Sequence, residues 1–273
     1  MSESSFHFAF IISHLEFHLL SLPKRTNFRK SMNAIERVGD YSKLMWKTFK
    51  KPDNWKMFGK QYGRELHKQG INSLPIVCII SVFIGAVICI QMRINTESPF
   101  LPSQLTGYAT REVMILEFSS AILCLILAGK VGSNIASEIG TMRITEQIDA
   151  LDIMGVNSAN YLILPKILAF VSIIPCLVTF SITTGLIGGY GVALFTDMIT
   201  PNEYEQGIQY SFLPYSIQYS IEKSMVFAFI VTSIASYYGY TVKGGAREVG
   251  KASTNAVVNS SVIILLFDVM LTK

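Results

Sequence analysis

The chain has 273 residues, of which 50% are hydrophobic and only 15% charged, and its mean hydropathy is +0.40. A soluble domain carries about 25% charged residues, so there is too little polar surface here to wrap an ordinary soluble enzyme, and too much apolar matter for a disordered chain. The net charge of +4 is uneven: residues 1–74 hold 13 of the 23 Lys and Arg but 6 of the 19 Asp and Glu, leaving an apolar and slightly acidic remainder. A basic head on such a body predicts a membrane protein whose N-terminus lies in the cytoplasm.

In chain order, Phe6 to Leu22 is apolar but broken by His14, Glu16 and His18. It lacks the basic region and small-residue cleavage site of a signal peptide. Residues 1–31 therefore read as a non-native or disordered upstream extension, with Met32 as the expected start. Residues 32–73 form a basic segment in which Trp55, Met57, Phe58, Tyr62 and Leu66 recur among Lys56, Lys60, Arg64 and Lys68. That pattern predicts an amphipathic helix lying in the membrane interface, with rings in the acyl boundary and cations at anionic headgroups. A solvated basic helix or a nucleic-acid surface would use the same charges, but the adjoining apolar run favours the membrane.

Five apolar runs follow within residues 74–271: 74–92, 113–129, 161–195, 216–240 and 252–271. A spanning helix needs about 20 residues, so each is a predicted span. The third is long enough to require tilt, a kink at Pro175 or an interfacial start. Loop charges set the orientation. The head is basic, the first outer loop has Arg93 and Arg111, 130–161 carries Lys130 and Arg143 and 241–251 carries Lys243, Arg247 and Lys251, while 197–215 has no Lys or Arg and carries Asp197, Glu203 and Glu205. The expectation is N-in and C-out. The overall class is therefore all-α and polytopic: five transmembrane helices behind an interfacial helix, with a short cytoplasmic helix at about 138–155 between spans two and three.

Candidate functional residues are few. The four cysteines lie inside apolar runs and read as packing, no His has a zinc-spaced partner, and no metal site is expected. Gly245-Ala-Arg-Glu-Val-Gly-Lys251-Ala252 falls short of a nucleotide-binding loop, because Ala252 stands where a hydroxyl must hold magnesium. Gly185 and Gly189 have the spacing that lets helices approach closely, within the chain or in a dimer. Glu117 lies inside the second span, where an ionisable group is costly and marks a functional site by default. Its partner is expected to be Arg111, or else Glu117 is protonated in a low-dielectric site. Lys223, in the fourth span, is expected to meet Asp268 or a lipid phosphate. In the middle loop Ile139, Met142, Ile144, Ile148, Leu151 and Met154 recur at helical spacing, with Glu146, Asp149 and Asp152 mostly opposite. Such a helix suits the groove of a soluble partner; its acidic face speaks against lying on a bilayer.

This loop resembles the signature of the MlaE (YrbE) family of ABC-transporter permeases, in which G[RK]xGSxxxxEIGxMxxTEQIDAxxxMGV follows the second span. Gly129, Lys130, Gly132, Ser133, Glu138, Ile139, Gly140, Met142, Thr145, Glu146, Gln147, Ile148, Asp149, Ala150, Met154, Gly155 and Val156 match it. Val82-Phe83-Ile84-Gly85, Lys223 with Val226-Phe227, and the segment Gly244 to Thr254 extend the likeness from about 33 to 271. Leu116-Glu117-Phe118-Ser119-Ser120 falls where many members have Arg-Glu-Leu-Gly-Pro, so Glu117 matches while Leu116 replaces the Arg.

The resemblance implies a transport subunit without catalysis or cofactor of its own, in a bacterial inner membrane. Two copies would sit between cytoplasmic ABC ATPases, which bind ATP and magnesium, and a periplasmic MCE-domain ring, often with a small STAS-domain protein. The cargo would be phospholipid, moved between the inner membrane and the ring to maintain outer-membrane asymmetry, or a sterol or other lipid. Glu117, Arg111 and Lys223 are the expected lipid or gating residues. Glu138, Ile139, Gly140, Met142, Arg143, Thr145, Glu146, Gln147, Asp149 and Met154 are the expected ATPase-coupling residues. Two rival readings remain: a scaffold that only anchors the MCE ring, and an ion or proton channel lined by the few intramembrane charges.

Overall fold

A computed structural model describes residues 27–272 except 52–54, 97–101 and 197, with side chains from residue 36. The expected extension 1–31 lies outside the described residues up to 26. Two units make up the chain, Met1–Leu44 and Met45–Lys273. The first contributes residues 27–44 of helix α1 (Asn27–Thr48).

The second unit is helical throughout its described residues. Helix α2 (Trp55–Gln69) passes through a short 3-10 turn, Ile71–Ser73, into α3 (Leu74–Thr96). Next comes one long bent run made of α4 (Leu105–Val113), a wide π turn (Met114–Ile122), α5 (Leu123–Leu127), a second π turn (Ala128–Gly132) and α6 (Ser133–Ile144). A short α7 (Gln147–Ile153) precedes the 38-residue α8 (Ser158–Phe195). Helices α9 (Pro201–Gln209), α10 (Pro214–Tyr240) and α11 (Ala246–Leu271) complete the fold.

Among the described residues four runs are long and apolar enough to cross a membrane: Trp55–Thr96, Leu105–Ile144, Ser158–Phe195 and Ala246–Leu271. The fourth expected span, 216–240, forms α10, which at 27 residues has the length. Glu222, Lys223, its serines and its tyrosines dilute its apolar content, so it does not rank with the four.

The buried core is mainly apolar but includes many serines and threonines, and large apolar side chains also face outward. On α3, Ile76, Ile79, Phe83, Val87 and Ile94 form an exposed stripe, and on α11 so do Val258, Val262, Leu265, Leu266 and Val269. Exposed apolar bands this long mark a membrane or partner surface. The opposite face of α3 buries Ser81, whose hydroxyl pairs with that of Ser181 on α8 at 2.8 Å; Ser119 reaches the same oxygen at 3.2 Å. On α2 the apolar side chains of Trp55 and Met57 point outward while Glu65 and Gln69 are buried.

Helix α8 is the axis of the packing, lying against α2, α3 and α10. Its length of about 57 Å at 1.5 Å per residue exceeds the ~30 Å hydrocarbon core. Asn157 caps its start by accepting from the Asn160 backbone N–H at 3.3 Å, and the Asn160 side chain donates to the carbonyls of Thr48 and Lys50. Both Pro165 and Pro175 lie inside it. Gly185 and Gly189 make their close contacts within this chain. A Cβ on Gly85 of α3 would fall into the Gly185 carbonyl, and one on Gly189 into the Tyr204 ring of α9. The Gly245–Ala252 stretch opens α11.

Candidate functional site

Two groups of charged side chains stand at different levels of the bundle. The first joins three helical runs. Lys223 on α10 is 2% exposed, and its ammonium lies 2.7 Å from an Asp268 carboxylate oxygen on α11 and 3.5 Å from a Glu117 oxygen in the first π turn. It also donates to the Thr272 hydroxyl at 3.0 Å and the Leu116 carbonyl at 3.4 Å, and stands 5.7 Å from the Tyr219 ring centre. One cation thus faces two carboxylates. Asp268 holds it closely, whereas the Glu117 side chain is 43% exposed and more distant. Glu117 therefore retains hydrogen-bonding capacity toward whatever occupies its exposed side.

The partner of Glu117 is thus Lys223, and not the expected Arg111. Arg111 is 1% exposed and fully engaged elsewhere. It pairs with Glu112 at 2.6 Å, donates to the carbonyls of Ile208 at 2.6 Å, Tyr210 at 2.9 Å and Ser211 at 3.4 Å, and sits between the rings of Tyr108 and Phe212. Its work in this structure is to pin the segment after α9 to the start of the second span. Beyond that segment, one face of α10 lines a groove of about 460 Å³ with Phe212, Pro214, Ile217, Gln218, Ile221, Glu222 and Met225. It is an open surface formed by one stretch of chain, apolar except for Gln218 and Glu222.

The second group surrounds the middle loop. A single helix over 138–155 is expected; the structure has two, α6 and α7. They are separated at Glu146, which adopts φ 59°, ψ 13°. A left-handed residue cannot continue a right-handed helix, so the predicted apolar stripe is split. Ile139, Gly140 and Ile148 turn inward, Gly140 against Val242 and Val249. Met142 and Arg143 are half-buried; Arg143 pairs with Asp149 at 2.6 Å across the break and lies over Tyr240. Thr145, Gln147 and Asp149 are exposed, and Ile153 and Met154 project at 87% and 68% exposure. Gly155, at φ +77°, turns the chain toward α8.

Glu138 faces the other way, into the protein. One of its oxygens lies 2.7 Å from the Lys68 ammonium on α2 and 2.8 Å from that of Lys166 on α8. Lys166, 1% exposed, also meets Glu65 at 2.6 Å, and the second Glu65 oxygen accepts from the Gln69 amide at 2.9 Å. Sequence reasoning singled out neither Glu65 nor Lys166 as a site residue. The available signal was Lys166 itself, a cation in an apolar run that must be paired when buried.

Compared with known proteins, residues 62–273 match the model of a family described as Permease MlaE. A "Probable ABC transporter permease protein" of Rickettsia bellii is 37% identical over 211 residues, covering 75% of this chain and 78% of that protein. One of the same name from Rickettsia felis is 36% identical over 217 residues, 77% of this chain and 81% of its own. In Arabidopsis thaliana, "Protein TRIGALACTOSYLDIACYLGLYCEROL 1, chloroplastic" is 31% identical over 213 residues, 77% of this chain and 60% of that protein.

Proposed function

The chain belongs to the MlaE permease family, and from that premise we propose that it is the lipid-conducting subunit of an ABC transporter that moves phospholipid between an inner membrane and a periplasmic MCE-domain carrier. Five helices cross the bilayer in this reading, α10 included, with the N-terminus in the cytoplasm and the C-terminus outside. Two copies face each other. The exposed Ile153 and Met154, beside the acidic residues of α7, meet a groove on a cytoplasmic ATPase. ATP is hydrolysed there, and its different affinity for two permease conformations drives alternate exposure of the lipid site.

The observation that carries the reading is the Lys223–Asp268–Glu117 group. A lipid headgroup brings both an anionic phosphate and, in many lipids, a cationic or hydroxyl end. Lys223 answers the first and the open side of Glu117 the second, while the apolar surface of α10 beside them is compatible with an acyl chain. Energetically the exchange is feasible because the Glu117 contact, at 3.5 Å and partly exposed, is the looser of the two ion pairs. A chloroplast relative named for a galactolipid supports lipid as the cargo class.

Purification of the complex from membranes with its bound lipid, followed by mass spectrometry, tests this. Wild type is expected to retain phospholipid together with an ATPase and an MCE-domain subunit, and Glu117→Leu to retain the subunits with several-fold less lipid. Equal lipid in both would remove Glu117 from the site.

A further inference from the structure

The four residues Glu65, Lys68, Glu138 and Lys166 make an alternating pair of anions and cations drawn from three separate helices, α2, α6 and α8. Its two halves differ. The Lys166–Glu65 pair is buried, with side chains 2% and 6% exposed, and Gln69 holds the remaining Glu65 oxygen. Breaking a pair so placed strands a charge away from water and is strongly destabilising. The Lys68–Glu138 contact is 36% and 33% exposed, and an accessible pair contributes little because water replaces either partner. One end of the group is therefore fixed, while at the other the Lys68 contact opens and remakes easily with Glu138 still held by Lys166.

The position of the loose end gives this a use. Glu138 lies eight residues before the left-handed break at Glu146, about 12 Å of helix, and beyond that break is the exposed α7. Toward the membrane, α2 leads through Ile71–Ser73 directly into α3. Lys130, at the end of the second span, adds a further grip by donating to the Asn72 carbonyl in that junction. A displacement of α7 thus reaches α6, and these contacts give it a direct route to α2 and α3, beside the packing of α7 on α8 and of the second span on α3.

We propose that Glu65, Lys68 and Lys166 are positioning residues that clasp Glu138, so that movement of the middle loop is handed to the interfacial helix by opening and closing the Lys68–Glu138 contact about the fixed Lys166–Glu65 pair. The clasp rests on the transport reading above for its purpose, but it is a statement about this chain's own helices and is measurable without lipid.

In the assembled transporter, Lys68→Gln is expected to hydrolyse ATP within twofold of wild type while moving about fivefold less lipid per ATP. Lys68→Arg, which keeps a cation opposite Glu138 and leaves Glu138 on Lys166, is expected to recover most of that ratio. A pure strut would lower hydrolysis and transport together, or would lower the yield of complex, and either result overturns the proposal; so does an unchanged ratio in Lys68→Gln. A second measurement is independent of lipid movement. With the four native cysteines replaced, spin labels at Lys60→Cys on α2 and Thr141→Cys on α6, both exposed positions, are expected to change separation on ATP binding in the otherwise native chain, and to lose that change with Lys68→Gln. A distance that ignores ATP refutes the clasp even if lipid moves normally. A nucleotide-dependent distance in a complex that moves no lipid would retain the clasp and refute the transport reading.

Discussion

Lys223 is buried with two carboxylates and a backbone carbonyl around its ammonium. Removing the ammonium while leaving the anions is the costly change, since each then loses its one opposite charge within 4 Å among the described residues. Lys223→Met is accordingly expected to lower the stability of the detergent-solubilised protein by about 3 kcal/mol, the low end of the range for buried pairs because Asp268 and Glu117 keep some access. Thermal unfolding should show the loss, with Lys223→Met, Asp268→Leu regaining much of it and Glu222→Gln, on the exposed face, changing little. An unchanged midpoint in Lys223→Met would mean that the group is solvated. At this scale the sequence was half informative. The cost of an isolated Glu in an apolar run pointed to Glu117, and Asp268 was among the expected partners of Lys223. That Lys223 is also the cation for Glu117 was hidden, because 106 positions of chain separate them and only the helix register brings them together. Arg111 was the nearer cation in sequence but is held by three carbonyls.

Among the elements, helical periodicity made the long apolar runs readable, with ends within a few residues of the observed helices for the third, fourth and fifth. It could not show the two π turns of the second span, since Met114–Ile122 and Ala128–Gly132 contain no residue that forbids an α-helix. Nor could it place the break at Glu146, because non-glycine residues with positive φ are uncommon and neither neighbour, Thr145 or Gln147, signals a turn. The short α9 is different: Thr200-Pro-Asn-Glu203 spells a capping box, and the structure has it. The Thr200 backbone N–H, and then its hydroxyl, hold the Glu203 carboxyl below its ordinary pKa. A depressed folded pKa means that the contribution is complete above the ordinary carboxylate range and is lost as pH falls through the lowered value. Hydrogen exchange of the α9 amides is expected to accelerate on acidification through that window in wild type and to be insensitive to it in Glu203→Gln. The same pH response in both would assign the stability to other contacts, chief among them Tyr204, which is buried against Gly189.

For the whole molecule, composition and charge asymmetry already described a membrane protein with a basic head; the structure adds serines buried between helices and apolar stripes turned out. The packing explains why. In a bilayer no hydrophobic force drives helices together, and association rests on close backbone approach and interhelical hydrogen bonds. The contact of Gly85 with Gly185 and the Ser81–Ser181–Ser119 set supply both between α3, α8 and the second span. What sequence patterns could not convey is the vertical arrangement: one charged group among α10, α11 and the second span, and another among α2, α6 and α8. Long-range pairing of this kind follows from the fold and leaves no local signature. The most direct test of the account is ATP-driven transfer of a fluorescent phospholipid from liposomes carrying the full complex to an MCE-domain acceptor. Wild type is predicted to transfer lipid only with ATP, and Glu117→Leu at least about tenfold more slowly, the effect of roughly 1.4 kcal/mol. Transfer by Glu117→Leu at the wild-type rate, or no ATP-dependent transfer by wild type, would contradict it.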